Sequence, residues 1–84
     1  MILEEAVILD ALKAGKFFLS IHAARRMRQR AVTAADICNC GRTSRCCIYQ
    51  AQNRTWRVEG EDLDGESLTA ICGIDDGVVI VTIF

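Results

Sequence analysis

Apolar residues recur at helical spacing in the first half of the chain and at strand spacing in the second, and the change falls after Gly41. Leu3–Ala14 places Ala6, Ile8, Leu9 and Leu12 at helical intervals ahead of Gly15, a residue suited to the position just past a helix end, so a first helix is predicted there. Residues 16–19 are short, aromatic and read as extended. Ser20 is a natural N-cap, and Thr33 followed by Asp36 has the spacing of a capping box. These two caps bracket a second helix of about three turns. A third, shorter helix is predicted over residues 33–40, ended by Gly41. Beyond it, residues 45–52, 55–61, 67–74 and 78–84 are rich in Val, Ile and Thr, with Trp and Tyr, and are separated by Gln-Asn, Asp-Gly and Asp-Asp-Gly turn signals. Turns this short cannot make parallel crossovers, so an antiparallel meander of three or four strands is expected. The last run is nearly all apolar and is expected to be central or covered on both faces. The fold class is α+β, N-terminal helices packed on a C-terminal antiparallel sheet, in a single domain over residues 1–84.

The second helix has two faces. Ala23, Ala24, Met27 and Ala31, with Ile21 at the margin, gather on one arc, while His22, Arg25, Arg26, Gln29 and Arg30 gather on the other. His22, Arg26 and Arg30 follow i, i+4, i+8 spacing and stand in one row. Such a face is often only a solvated one, but here countercharge is missing. No acid lies between Asp10 and Asp36, and the stretch from residue 25 to residue 57 holds eight arginines and one acid. The formal net charge of −1 therefore hides a basic middle between acidic ends, a footprint suited to phosphates or to an acidic protein partner. A planar guanidinium can grip a phosphate bidentately and stack on a base, which an ammonium does less well.

Composition excludes several classes. An apolar fraction of 51% argues for a folded chain, and there is neither proline, internal repeat nor low-complexity tract. Met1 is followed by acids rather than a basic leader, and no apolar run approaches the roughly 20 residues a bilayer requires, so a cytoplasmic protein with no membrane contact is expected. Cys38, Cys40, Cys46 and Cys47 fall close together and raise the question of zinc. Their C-x-C-x5-C-C spacing lacks paired knuckles, and adjacent strand residues point to opposite sides, so no metal site and no cofactor is expected.

Ser20-x-His22-Ala23-x-x-Arg26-Met27-x-x-Arg30-x-Val32-Thr33-x-x-Asp36-Ile37, Val58-x-Gly60, Asp64-Gly65-x-x-Leu68 and the closing Val79-Ile80-Val81-Thr82-Ile83-Phe84 together resemble bacterial domain-of-unknown-function family 4258. That family is in turn similar to the RelE and MqsR class of toxin–antitoxin ribonucleases, which fold as helices followed by a curved antiparallel sheet. The resemblance implies a RelE-like fold, RNA as partner, metal-independent RNA cleavage, and an antitoxin protein encoded alongside. It also leaves open a toxin-like relative that keeps the fold without the chemistry.

Metal-free cleavage of RNA needs a base for the 2′-OH, a cation for the phosphorane and an acid for the leaving 5′-oxygen. His22 is the only imidazole and the candidate acid or base, with Arg26 and Arg30 along the same row to hold the phosphate. Tyr49 is a further catalytic candidate if its strand faces the same cleft. Arg25, Arg26, Gln29, Arg30, Arg54 and Arg57 are the candidate nucleic-acid contacts. The competing reading is a non-enzymatic binding module in which the same basic face docks nucleic acid or an acidic protein and His22 is structural.

Overall fold

Three helices and five strands form an α+β fold in a computed structural model that describes residues 3–84. The helices are α1 (Leu3–Ala14), α2 (Ile21–Arg30) and α3 (Ala34–Arg42), and the strands are β1 (Phe18–Leu19), β2 (Cys46–Gln50), β3 (Thr55–Glu61), β4 (Ser67–Ile74) and β5 (Val78–Ile83). The sheet order is β1-β5-β4-β3-β2. The expected antiparallel meander is present as β2 to β5, but the sheet is mixed and has a fifth strand. β1 pairs in parallel with β5 through Phe18 opposite Val79 and Leu19 opposite Ile80. The short-turn argument does not reach this pair, because nearly the whole chain connects its two strands.

The caps that the sequence marks are formed. Ser20 Oγ accepts from the Ala23 amide, and Thr33 and Asp36 complete a reciprocal capping box at α3. Asp36 also accepts from the Leu63 amide at 2.9 Å, which ties the start of α3 to the β3–β4 turn. The hydrogen bonds from the backbone amides of Thr33 and Leu63 hold its carboxyl below the ordinary value. A depressed carboxyl contributes stability that is present at neutral pH and is lost as pH falls through its folded-state pKa. Asp36→Ala removes the bonds accepted from the Thr33 and Leu63 amides and is expected to lower stability by about 1 kcal/mol at pH 7. The gap from wild type should narrow between pH 5 and pH 2 in denaturant titrations.

α2 ends differently from its apolar pattern. Ala31 is its C-cap, in the left-handed region at φ 55°, and its side chain is exposed rather than part of the buried arc. Only Ala23 and Met27 of that arc are buried, and Ile21 is exposed.

α1 and α3 pack on each other and cover one face of the sheet, enclosing Ile8, Leu12, Ile37, Val58, Leu68, Ile80 and Ile83. Two glycines permit that approach. Gly41 does not end α3 but lies inside it, where a Cβ would stand 2.7 Å from Leu12 Cβ of α1. On β3, a Cβ at Gly60 would run into the Cys40 carbonyl oxygen and come within 2.9 Å of Thr43 Oγ1. Thr43 Oγ1 also accepts from the Glu61 amide, and Asn39 Nδ2 donates to the carbonyls of Glu61 and Asp62, so the end of α3 is held directly on β3. Among the described residues no helix is long and apolar enough to cross a membrane.

Candidate nucleic-acid interface

β1 covers only the start of β5, and α2 covers the rest of that edge. The Ser20 amide donates to Ile80 O at 3.0 Å, Ser20 Oγ donates to Val81 O at 2.5 Å, and Arg26 Nε donates to Ile83 O at 3.2 Å. A sheet edge that would otherwise offer unpaired carbonyls is thereby closed. β5 is irregular at this point. Cys72 pairs with Ile80 while Ile71 pairs with Thr82, so Val81 is an extra residue and the strand bulges beside α2.

The result is a cleft of about 500 Å³ between the polar row of α2 and the end of β5. His22, Arg25, Arg26 and Gln29 form the helical wall, and Val81, Thr82 and Phe84 the other. Arg26 is held by the hydrogen bond from Nε to Ile83 O and by Phe84, over whose ring its Cζ lies 5.3 Å from the centroid. A second cleft of about 330 Å³ adjoins the first across Val81, Thr82 and Phe84, and is lined beyond them by Gln50, Asn53, Thr55, Arg57 and Ile71. Arg57 Nε donates to Glu59 Oε2 at 2.7 Å, and this bond holds the Glu59 carboxyl below its usual range. Among the described residues, Arg25 and Arg26 in the first cleft, like Arg28 and Arg30 outside it, have no carboxylate within salt-bridge distance, so no ion pair neutralises the guanidinium groups of the cleft.

His22, Arg25, Arg26 and Gln29 thus come together, and Arg57 stands on the far side of Phe84 from them. Arg30 continues the helical row but is exposed outside the lining of the cleft. Arg54 lies at φ 54° in the β2–β3 turn, exposed and outside both clefts. Tyr49 is not brought to the row. It pairs with Trp56, rings 4.7 Å apart, on the face that packs toward the helices, whereas Arg57 occupies the opposite face. The cleft residues that sequence reasoning missed are Val81, Thr82 and Phe84 in the first and, besides these, Gln50, Asn53, Thr55 and Ile71 in the second. The one available signal was Phe84, an aromatic residue following an otherwise aliphatic run.

The thiols belong elsewhere. Cys40 is buried and donates to Leu68 O at 3.2 Å, with its thiol pushed up to about 11 by burial. Burial likewise pushes Cys47 up to about 11 and raises Cys72. All five cysteines are free, and among the described residues no three His, Cys, Asp or Glu side chains gather as a metal site.

Residues 19–84 match the family described as Domain of unknown function (DUF4258), and the chain belongs to that family. The match runs from Leu19 of β1 through α2, α3, the whole meander and both clefts, with α1 and Phe18 lying ahead of it. No curated protein and no solved structure matches the chain.

Proposed function

We propose that the chain is a single-stranded RNA-binding protein of the toxin–antitoxin ribonuclease kind, with the cleft between α2 and β5 as its RNA site. The observation that carries this reading is the cluster of His22, Arg25 and Arg26 on one cleft wall, with the Arg26 guanidinium already fixed by Ile83 O and Phe84. A preplaced guanidinium loses little side-chain freedom on gripping a phosphate, and it meets no internal carboxylate that would compete.

In the cleavage step, the RNA 2′-oxygen attacks the adjacent phosphorus, the bond from phosphorus to the 5′-oxygen breaks, and a 2′,3′-cyclic phosphate and a 5′-hydroxyl result. His22 takes the 2′-OH proton or supplies the proton to the 5′-oxygen, with water at the other position, while Arg25 and Arg26 hold the charge on the phosphorane. The reading inherits from the RelE and MqsR resemblance its independence of metal and an antitoxin partner that restrains it. Tyr49, on the other face, has no part in it. With one imidazole and no phenol or carboxylate side chain lining the cleft, a binding module without cleavage is the second reading.

The RNA site is tested by salt. Each phosphate neutralised on a single strand contributes about −0.7 to the slope of log K against log salt, so contacts from Arg25 and Arg26 in the cleft and from Arg30 farther along the row give a slope of about −2. Raising salt from 50 to 200 mM should weaken binding of a short single-stranded RNA roughly twentyfold. Arg25→Ala with Arg26→Ala should reduce the slope by about 1.4. A flat salt response would overturn the proposal.

A further inference from the structure

The second cleft differs in chemistry from the first. Its polar lining includes two donors that are already oriented, on Gln50 and Arg57. Gln50 Oε1 accepts from Thr55 Oγ1 at 3.3 Å, which occupies one lone pair of the amide oxygen, fixes the orientation of the amide and leaves both NH₂ hydrogens to offer. Arg57 has its Nε engaged by Glu59 and keeps its two terminal nitrogens for a ligand. The floor is Ile71, only 9% exposed, and one wall is Phe84, a residue 47% exposed. Arg26 lies over its ring from the side of the first cleft. An aromatic wall, an apolar floor and fixed donors at the edge are what a flat heterocycle with carbonyl groups on its rim would fill.

We propose that this second cleft is a base-recognition pocket that selects keto bases, uracil or guanine, for the nucleotide next to the phosphate held in the α2 cleft. The inference rests on the RNA-binding reading of that cleft and adds to it a base preference. The base stacks on Phe84, and stacking on an aromatic side chain tolerates any base, so the ring supplies affinity and the rim supplies the choice. Uracil and cytosine have the same size and differ at position 4, where uracil offers an acceptor and cytosine an amino donor. Guanine and adenine differ in the same way at position 6. The Gln50 amide and the Arg57 guanidinium therefore pair with a keto oxygen and oppose an amino group. Thr55 Oγ1, its hydrogen spent on Gln50, offers little to an amino group because Thr55 is only 8% exposed.

Fluorescence anisotropy with the single-stranded octamers U8, C8 and A8 tests this on the intact chain. U8 is expected to bind about tenfold more tightly than C8 or A8, toward the low end of what base-edge hydrogen bonds discriminate. Gln50→Glu retains the acceptor used by Thr55 and turns the offered donor into an acceptor, so the U8 to C8 ratio should fall toward one or invert even as overall affinity drops. Phe84→Leu should weaken all three octamers about fivefold or more and leave their ranking intact. Equal binding of U8 and C8 by the wild type, or a ratio unmoved by Gln50→Glu, would overturn the base pocket. In that event the RNA site itself would still stand if Arg25→Ala with Arg26→Ala weakened every octamer. Failure of all three octamers to bind at low salt would overturn both.

Discussion

Replacing His22 with alanine is expected to abolish RNA cleavage, a loss of roughly 10²–10⁴-fold in rate, while RNA affinity stays within about twofold of the wild type. The split follows from the cleft. His22 lines it beside Arg25 and Arg26, and the guanidinium groups rather than the imidazole carry the phosphate charge. His22 is exposed on α2 and has no side-chain hydrogen bond among those formed by the described residues, so its removal leaves the Ser20 and Arg26 anchors of the helix in place. Cleavage of a labelled single strand should persist in chelator for the wild type and vanish for His22→Ala, and expression of the wild type should arrest growth where the variant does not. Full cleavage by His22→Ala in a preparation free of other nucleases would remove the imidazole from the chemistry. Tight, salt-dependent binding with no cleavage by either protein would establish the binding module instead.

The largest expected effect on stability lies at Gly60. Gly60→Ala puts a methyl group against the Cys40 carbonyl and Thr43 Oγ1, and the first of these is helix backbone that cannot rotate away. Either α3 lifts from β3, taking the bonds of Asn39 and Thr43 with it, or the strand yields. Overpacking against backbone costs about 3 kcal/mol or more, a large part of the roughly 4–13 kcal/mol that a domain of this length has in total. The melting temperature should fall by at least about 12 °C. Gly73→Ala is the control, since a Cβ there finds its nearest neighbour, Val81 Cγ2, at 3.8 Å. A Gly60→Ala protein as stable as Gly73→Ala would show that α3 does not seat on β3 as described.

Local chemistry was legible and long-range pairing was not. The Ser20 cap and the Thr33–Asp36 box depend on neighbours within three residues, so the start of α2 and of α3 could be read from spacing alone. The limits of β3 and β4 likewise follow from runs bounded by turn residues. β1 has only two residues, too few for any period, and its partner lies about sixty positions away. The Val81 bulge leaves no mark in an unbroken run of β-branched residues. Strand alternation puts Trp56 and Arg57 on opposite faces, but which face meets the helices depends on packing, and that outcome sends Tyr49 away from His22. The row of His22 and Arg26 was readable because helical geometry sets it. Phe84 and Gln50 reach the same region through the sheet register, which the sequence does not display.

The two anchors of α2 both grip main chain rather than side chain, through Val81 O and Ile83 O. Every residue offers the same carbonyl, so the position of Arg26 is indifferent to the identity of residues 81 and 83 and depends on how many residues precede them in β5. One residue more or fewer would shift the carbonyls by about 3.3 Å and turn them to the other side. Chains that share this cleft should therefore vary in the spelling of this strand and hold constant its length, and a single inserted or deleted codon there should disable the site more thoroughly than most substitutions.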